Sequence, residues 1–182
     1  MKAIERLKSL MMALMCAIAL VGLNSCSDDD DDATQPEESN VAGYKFELKF
    51  NKLEDSDHAD LINTTYHFIN HQGKEEEKTV PEKVVNNFSV KSQLYKEVPG
   101  ELVITVNETL KPNVVLDKES YKMGIGISVM VTSVDKQGNV LNVKGAENEH
   151  SLTVSKDNLS KLYPDTTTYK FAIDANGNIT VK

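Results

Sequence analysis

The stretch Tyr121-Lys122-Met123-Gly124-Ile125-Gly126-Ile127-Ser128-Val129-Met130-Val131-Thr132-Ser133-Val134 decides the fold class. Met123, Ile125, Ile127, Val129 and Val131 recur at every second position. A strand turns successive side chains to opposite faces, so all five share one face. A helix would scatter them around its circumference. Asp135-Lys136-Gln137-Gly138-Asn139 follows at once. An Asp side chain opens a type I turn by accepting from the backbone ahead of it, and Gly takes the positive-φ position of a bulge. A long half-buried strand running into a tight hairpin is the signature of an antiparallel sheet.

The same two signals recur along the chain. Tyr44, Phe46, Leu48 and Phe50 alternate with Lys45, Glu47 and Lys49, and Leu102, Ile104 and Val106 alternate within 101–110. Further strands are expected over 65–71, 87–90, 139–144, 151–154, 167–174 and 178–181. The turn chemistry returns in Asn70-His71-Gln72-Gly73-Lys74 and Asp174-Ala175-Asn176-Gly177-Asn178. The first leads into Glu75-Glu76-Glu77, so its return strand is short or at an edge. Helical periodicity is confined to 156–163, where Ser155 is placed to cap and Pro164 to stop the segment. Many short strands with tight hairpins and one minor helix predict an all-β domain over 41–182. The expected form is an antiparallel sandwich of immunoglobulin-like or transthyretin-like type, with a small lipocalin-like barrel as the alternative.

The first 40 residues read differently. Lys2, Arg6 and Lys8 precede an apolar run from Leu10 to Leu23, too short for the ~20 residues that span a bilayer. This is a secretory signal over 1–25. Leu23-Asn24-Ser25-Cys26 resembles the lipobox of bacterial lipoproteins. The resemblance implies cleavage before Cys26 and acylation of its thiol, with several chains on one residue, enough for durable anchoring. Ser27 and Asp28, Asp29, Asp30, Asp31 and Asp32 resemble the surface-export tag of Bacteroides-type lipoproteins. That implies an outer-membrane location facing the cell exterior. A solvated spacer and a calcium-binding Asp tract are the other readings of the same block. Residues 26–40 are expected to form a flexible acidic tether, reaching roughly 20 Å over thirteen residues.

Removing the signal leaves a chain two charges more negative than the −8 of the whole. Most of that charge sits in Asp28–Asp32, Glu37 and Glu38. The body from Val41 on is close to neutral, which excludes an electrostatic partnership with nucleic acid. With Cys16 lost and Cys26 acylated, the body has no thiol, disulfide or Cys metal site. Arg6 is the only arginine, so the mature chain has no guanidinium, and there is no Trp.

Candidate sites are sparse. Asp55, Asp57 and Asp60, in a loop with Glu54 and His58, are the best metal candidates, with Ca²⁺ the ion such oxygens would take. No other cofactor is expected. His67 and His71 would share a strand face roughly 13 Å apart at ~3.3 Å per residue, too far for one ion. The Asp174 turn lacks the spacing of a calcium loop. Asn107-Glu108-Thr109 and Asn158-Leu159-Ser160 match glycosylation sequons by chance. No nucleophile elbow, zinc-protease motif or phosphate loop occurs. The expected function is therefore a lipid-anchored, non-catalytic binding or accessory module. Its partner would be a glycan or an outer-membrane protein, and any of the six tyrosines could contact a sugar. A fimbrial subunit and a small hydrolase are the alternatives. The fimbrial reading is weakened by the missing arginine at which such precursors are commonly cleaved, and by room for only one domain.

Overall fold

The computed structural model describes residues 39–81 and 88–182. The expected lipobox, Cys26 and the Ser27–Asp32 tag lie outside the described residues. Nine strands and two short helices follow in order: β1 (Val41–Lys52), α1 (His58–Leu61), β2 (Ile62–Ile69), β3 (Glu75–Thr79), β4 (Phe88–Lys91), β5 (Gly100–Leu110), β6 (Ser120–Asp135), β7 (Val140–Ser155), α2 (Lys156–Leu162), β8 (Asp165–Ile173) and β9 (Ile179–Val181).

The strands form two antiparallel sheets, β4-β1-β6-β7 and β3-β2-β5-β8-β9. No ladder joins the two, so the molecule is a sandwich and not a closed barrel. The inward residues are those that the alternation selects. Leu48, Phe50, Val129 and Val131 from one sheet meet Ile104, Val106 and Phe171 from the other, all fully buried. Each such side chain contributes about 1.5–3 kcal/mol on leaving water. A second cluster closes one end, with Leu61, Ile62, Tyr121, Met123, Val154, Leu159 and Tyr163. There α1 and α2 serve as plugs, each offering one buried leucine to the end of the sheets. Ser155 is the residue before α2, but its hydroxyl accepts from Asn158 Nδ2 at 2.9 Å and caps no backbone amide.

The three turns are built alike. In each, the Asx Oδ1 accepts two backbone N–H groups: from Gln72 and Lys74 at 2.9 and 3.0 Å, from Gln137 and Asn139 at 2.9 and 2.7 Å, and from Asn176 and Asn178 at 2.8 and 2.9 Å. Gly73, Gly138 and Gly177 sit at φ 73, 88 and 81. All three turns lie at the end of the sandwich where the chain enters. There Ser39 donates to the Ala175 carbonyl and the Asn40 carbonyl accepts from Lys136 at 2.9 Å. The last two residues of the expected tether are thus bonded to the body.

Several strands differ from expectation. The segments expected at 139–144 and 151–154 are one strand, β7, of sixteen residues. Gly145 and the polar run Glu147-Asn148-Glu149-His150 break its alternation. Pairing with β6 nevertheless continues from Val140 through to Ser155. An edge strand tolerates such residues because its faces are only partly covered. His71 falls in the turn beyond β2, so it shares no strand face with His67. The Glu75–Glu77 run begins β3, the edge strand of its sheet, as a charge-guarded edge requires.

The Asn139 and Asn178 amides, followed by backbone N–H groups, hold the Asp135 and Asp174 carboxyls below the usual carboxylate range. A depressed folded value means stability that is present above the unfolded pKa of 3.8 and lost as pH falls through the folded value. The midpoint of thermal unfolding should therefore drop as pH is lowered below about 4. Asp135→Ala should destabilise strongly at neutral pH and Asp135→Asn only mildly, because Asn70 already performs the same double acceptance with an amide oxygen. Equal losses in the two variants, read by urea denaturation, would show that the turn does not depend on the Asx acceptor.

Candidate functional site

The exposure of the aromatics singles out one place. Tyr44, Tyr66, Tyr121, Tyr163 and Tyr169 are all buried, whereas Tyr95 is only partly buried, packed against the edge of the core. Tyr95 lies between β4 and β5, on a segment with no periodic pattern. It is fixed by an isolated two-way bridge to β1: Tyr44 N–H donates to the Tyr95 carbonyl at 2.9 Å, and Tyr95 N–H to the Tyr44 carbonyl at 2.8 Å. The rings stack with centroids 5.0 Å apart and planes 8° from parallel. The Tyr95 hydroxyl donates to the Ile69 carbonyl at 2.7 Å, tying the segment to β2 as well.

Gly43 makes this approach possible. It stands at φ 150 beside a register shift in β1, and a Cβ built there would lie 2.0 Å from the Tyr95 carbonyl oxygen. No other residue type admits that contact. An isolated glycine at a strand start is thus a backbone-approach device.

Between this bridge and the β2–β3 turn runs a groove of about 340 Å³. Tyr44, Tyr95, Ile69 and Val103 give it apolar surface, and Asn70, His71, Lys96, Glu97 and Glu101 give it a polar rim. Ile69 and Val103, on the neighbouring strands β2 and β5, are 53 % and 38 % exposed. Burial, then Tyr44, then the Glu76 carboxylate push the Tyr95 phenol far up, so it remains a neutral donor. Burial and then Glu97 raise Tyr44. Glu101 is held by Lys182 at 3.0 Å. Two other clefts of similar size, one along β7 and α2 and one beside Lys45 and Met130, hold no partly buried aromatic.

A buried polar cluster occupies the opposite end. Glu108 stands on the inward face of β5 where Leu102, Ile104 and Val106 lead, and Thr64 faces it from β2. His58 Nε2 lies 3.0 Å from Glu108 Oε1 and 3.4 Å from Thr64 Oγ1, all three residues buried. The His–Glu contact is close but off the hydrogen-bond direction, since Glu108 Oε1 still counts among the unsatisfied buried atoms. His58 Nδ1 and the Tyr169 hydroxyl also have no partner among the described residues. Burial and then Glu108 raise both Tyr163 and Tyr169, the latter to about 12. A cavity of about 30 Å³ touches His58 and Thr64, room for a water molecule. This is a structural cluster inside the body.

The structure does not bring the three aspartates of the acidic loop together. Asp55 is exposed at φ 56, and Asp60 is exposed on α1. Asp57 is spent on Lys118 Nζ at 2.6 Å and the Lys122 amide at 3.0 Å. Burial pushes its carboxyl up, but those two partners outweigh it and hold it low. Among the described residues no three His, Cys, Asp or Glu side chains are grouped to hold an ion. His67 stands 3.8 Å from Glu75 and far from any such set.

No protein family, no curated protein and no solved structure matches the chain.

The buried pair should dominate the stability of its end. Glu108→Ala strands His58 and should cost roughly 3–5 kcal/mol, whereas His58→Leu with Glu108→Leu should cost less than the single change. Urea denaturation of both variants checks this; a loss under about 1 kcal/mol for Glu108→Ala would remove the pair from the structural account.

Proposed function

We propose that the chain is a lipid-anchored, surface-displayed, non-catalytic binding or accessory module of the outer membrane, with its ligand in the Tyr95 groove. One observation carries the site: of six tyrosines, Tyr95 alone is not fully buried, and it lies in a groove of the size that small ligands occupy. Anchoring and display rest on the resemblance of Leu23–Cys26 and Ser27–Asp32 to a lipobox and export tag. Tyr44 and its bridge to Tyr95 begin three residues after the chain enters β1 at Val41.

The non-catalytic reading has its own support. Glu97 and Glu101 both reach the groove, but both stand in solvent and Glu101 is occupied by Lys182. A catalytic acid is kept protonated by burial, and the one buried glutamate among the described residues, Glu108, faces the core at the other end. A fimbrial or structural subunit is the second reading. It is favoured by β7, which pairs only with β6 among the described residues and exposes Val140 and Val143. Lys144, Glu147 and Glu149 on the same strand are the charges that discourage open-ended strand addition.

Protease added to intact cells should degrade the body while the outer membrane is whole. Cys26→Ala should move the protein out of the membrane fraction, and replacing Asp28–Asp32 by Asn should protect it from the protease. Protection of the unaltered protein until the outer membrane is broken would overturn the surface assignment.

A further inference from the structure

We propose that the Tyr95 groove takes a neutral glycan, bound through the apolar face of a sugar ring and a hydroxyl rim. The proposal rests on the binding-module reading above and names its ligand. A pyranose ring is amphipathic in a particular way: one face presents C–H groups, and the edge presents hydroxyls. The groove offers the complement. Tyr95, Ile69 and Val103 supply an apolar floor, and an aromatic ring gives a large rigid contact at little entropic cost. Glu97 supplies carboxylate oxygens at the rim, which accept from hydroxyls in bonds roughly twice as strong as neutral ones.

Charge selects among sugars. Glu97 and Glu101 face the groove, Glu101 already paired with Lys182 at 3.0 Å, so a uronic or sialic acid would meet the Glu97 carboxylate. Lys96 and His71 stand on the same rim, which works against a strongly basic peptide. A neutral polyol meets neither penalty. The floor is held in place before any ligand arrives. Gly43 admits the Tyr95 carbonyl, the bridge to Tyr44 fixes its backbone, and the hydroxyl bond to Ile69 fixes its ring. Such preorganisation lowers the ordering cost of binding.

The test uses the full chain in detergent, titrated with neutral oligosaccharides, with uronic-acid oligosaccharides and with a lysine-rich peptide. A neutral oligosaccharide should bind. Tyr95→Ala should weaken it at least tenfold, Tyr95→Phe should retain most of the affinity, and Glu97→Gln should weaken it severalfold. Val115→Ala, at an exposed position away from the groove, should leave it unchanged. Because Tyr95→Ala removes a bond to Ile69, its melting temperature is measured in parallel, and Glu97→Gln, on an exposed side chain, reports without that complication. Binding of only the acidic sugars or only the peptide, sensitive to Tyr95→Ala, would overturn the neutral-glycan assignment and leave the groove as a binding site. Neutral-sugar binding indifferent to both Tyr95→Ala and Glu97→Gln would overturn the placement in this groove. Absence of binding to all three probes would overturn the glycan assignment and remove the support for the module reading together.

Discussion

Everything in this molecule depends on one constraint, the parity of side chains on β1, β5 and β6. With every second residue apolar, each sheet has one face that must leave water, and the two faces can do so only against each other. Phe50 and Leu48 on β1, Val129 and Val131 on β6, Ile104 and Val106 on β5 and Phe171 on β8 are the result, all without exposure. Parity also fixes what becomes surface. Lys45, Glu47 and Lys49 go outward because Tyr44, Phe46 and Leu48 go inward. Shifting β1 by one residue would bury Lys45, Glu47 and Lys49, which is far more costly than any turn or cap could repay.

The same parity also carries polar groups inward, Ser133 on β6 and Glu108 on β5, and the structure answers each locally, Ser133 by donating to the Gly177 carbonyl at 2.6 Å. Glu108 continues the inward series of β5 and would place a bare carboxylate in the core. His58 and Thr64 meet it there, while α1 and α2 close the end over them with Leu61 and Leu159. At the opposite end the relevant feature is a missing side chain. Gly43 leaves the space into which the Tyr95 carbonyl fits, so a segment with no strand pattern is docked onto β1 and a groove forms beside it. One end is thus sealed by a polar pair, and the other is left open by a backbone contact.

Much of this was legible in the sequence. The alternating strands and the three Asx–Gly turns reproduce the observed ladders closely, because both signals are local: strand parity and φ at one glycine. What was not legible depends on residues distant in the chain. The length of β7 follows from continued pairing with β6, and its own residues from Gly145 to His150 carry no alternation. Glu108 could have been found by extending the alternation of Leu102, Ile104 and Val106 by one step, but its partner His58 reads as part of an acidic loop. Asp55, Asp57 and Asp60 cluster in sequence, yet backbone geometry and the Lys118 contact send them apart. Tyr95 carries no signal of its own; only the full burial of the other five tyrosines singles it out.

The central claim is that the partly buried tyrosine and its groove are where this body meets its ligand. Hydrogen–deuterium exchange of the full chain, with and without a bound neutral oligosaccharide, tests it most directly. The account predicts slowed exchange confined to the 69–73 turn and the 94–103 segment, with the α1 and α2 end unchanged. Protection centred on β7, or on the His58 end, with 94–103 unaffected, would contradict it.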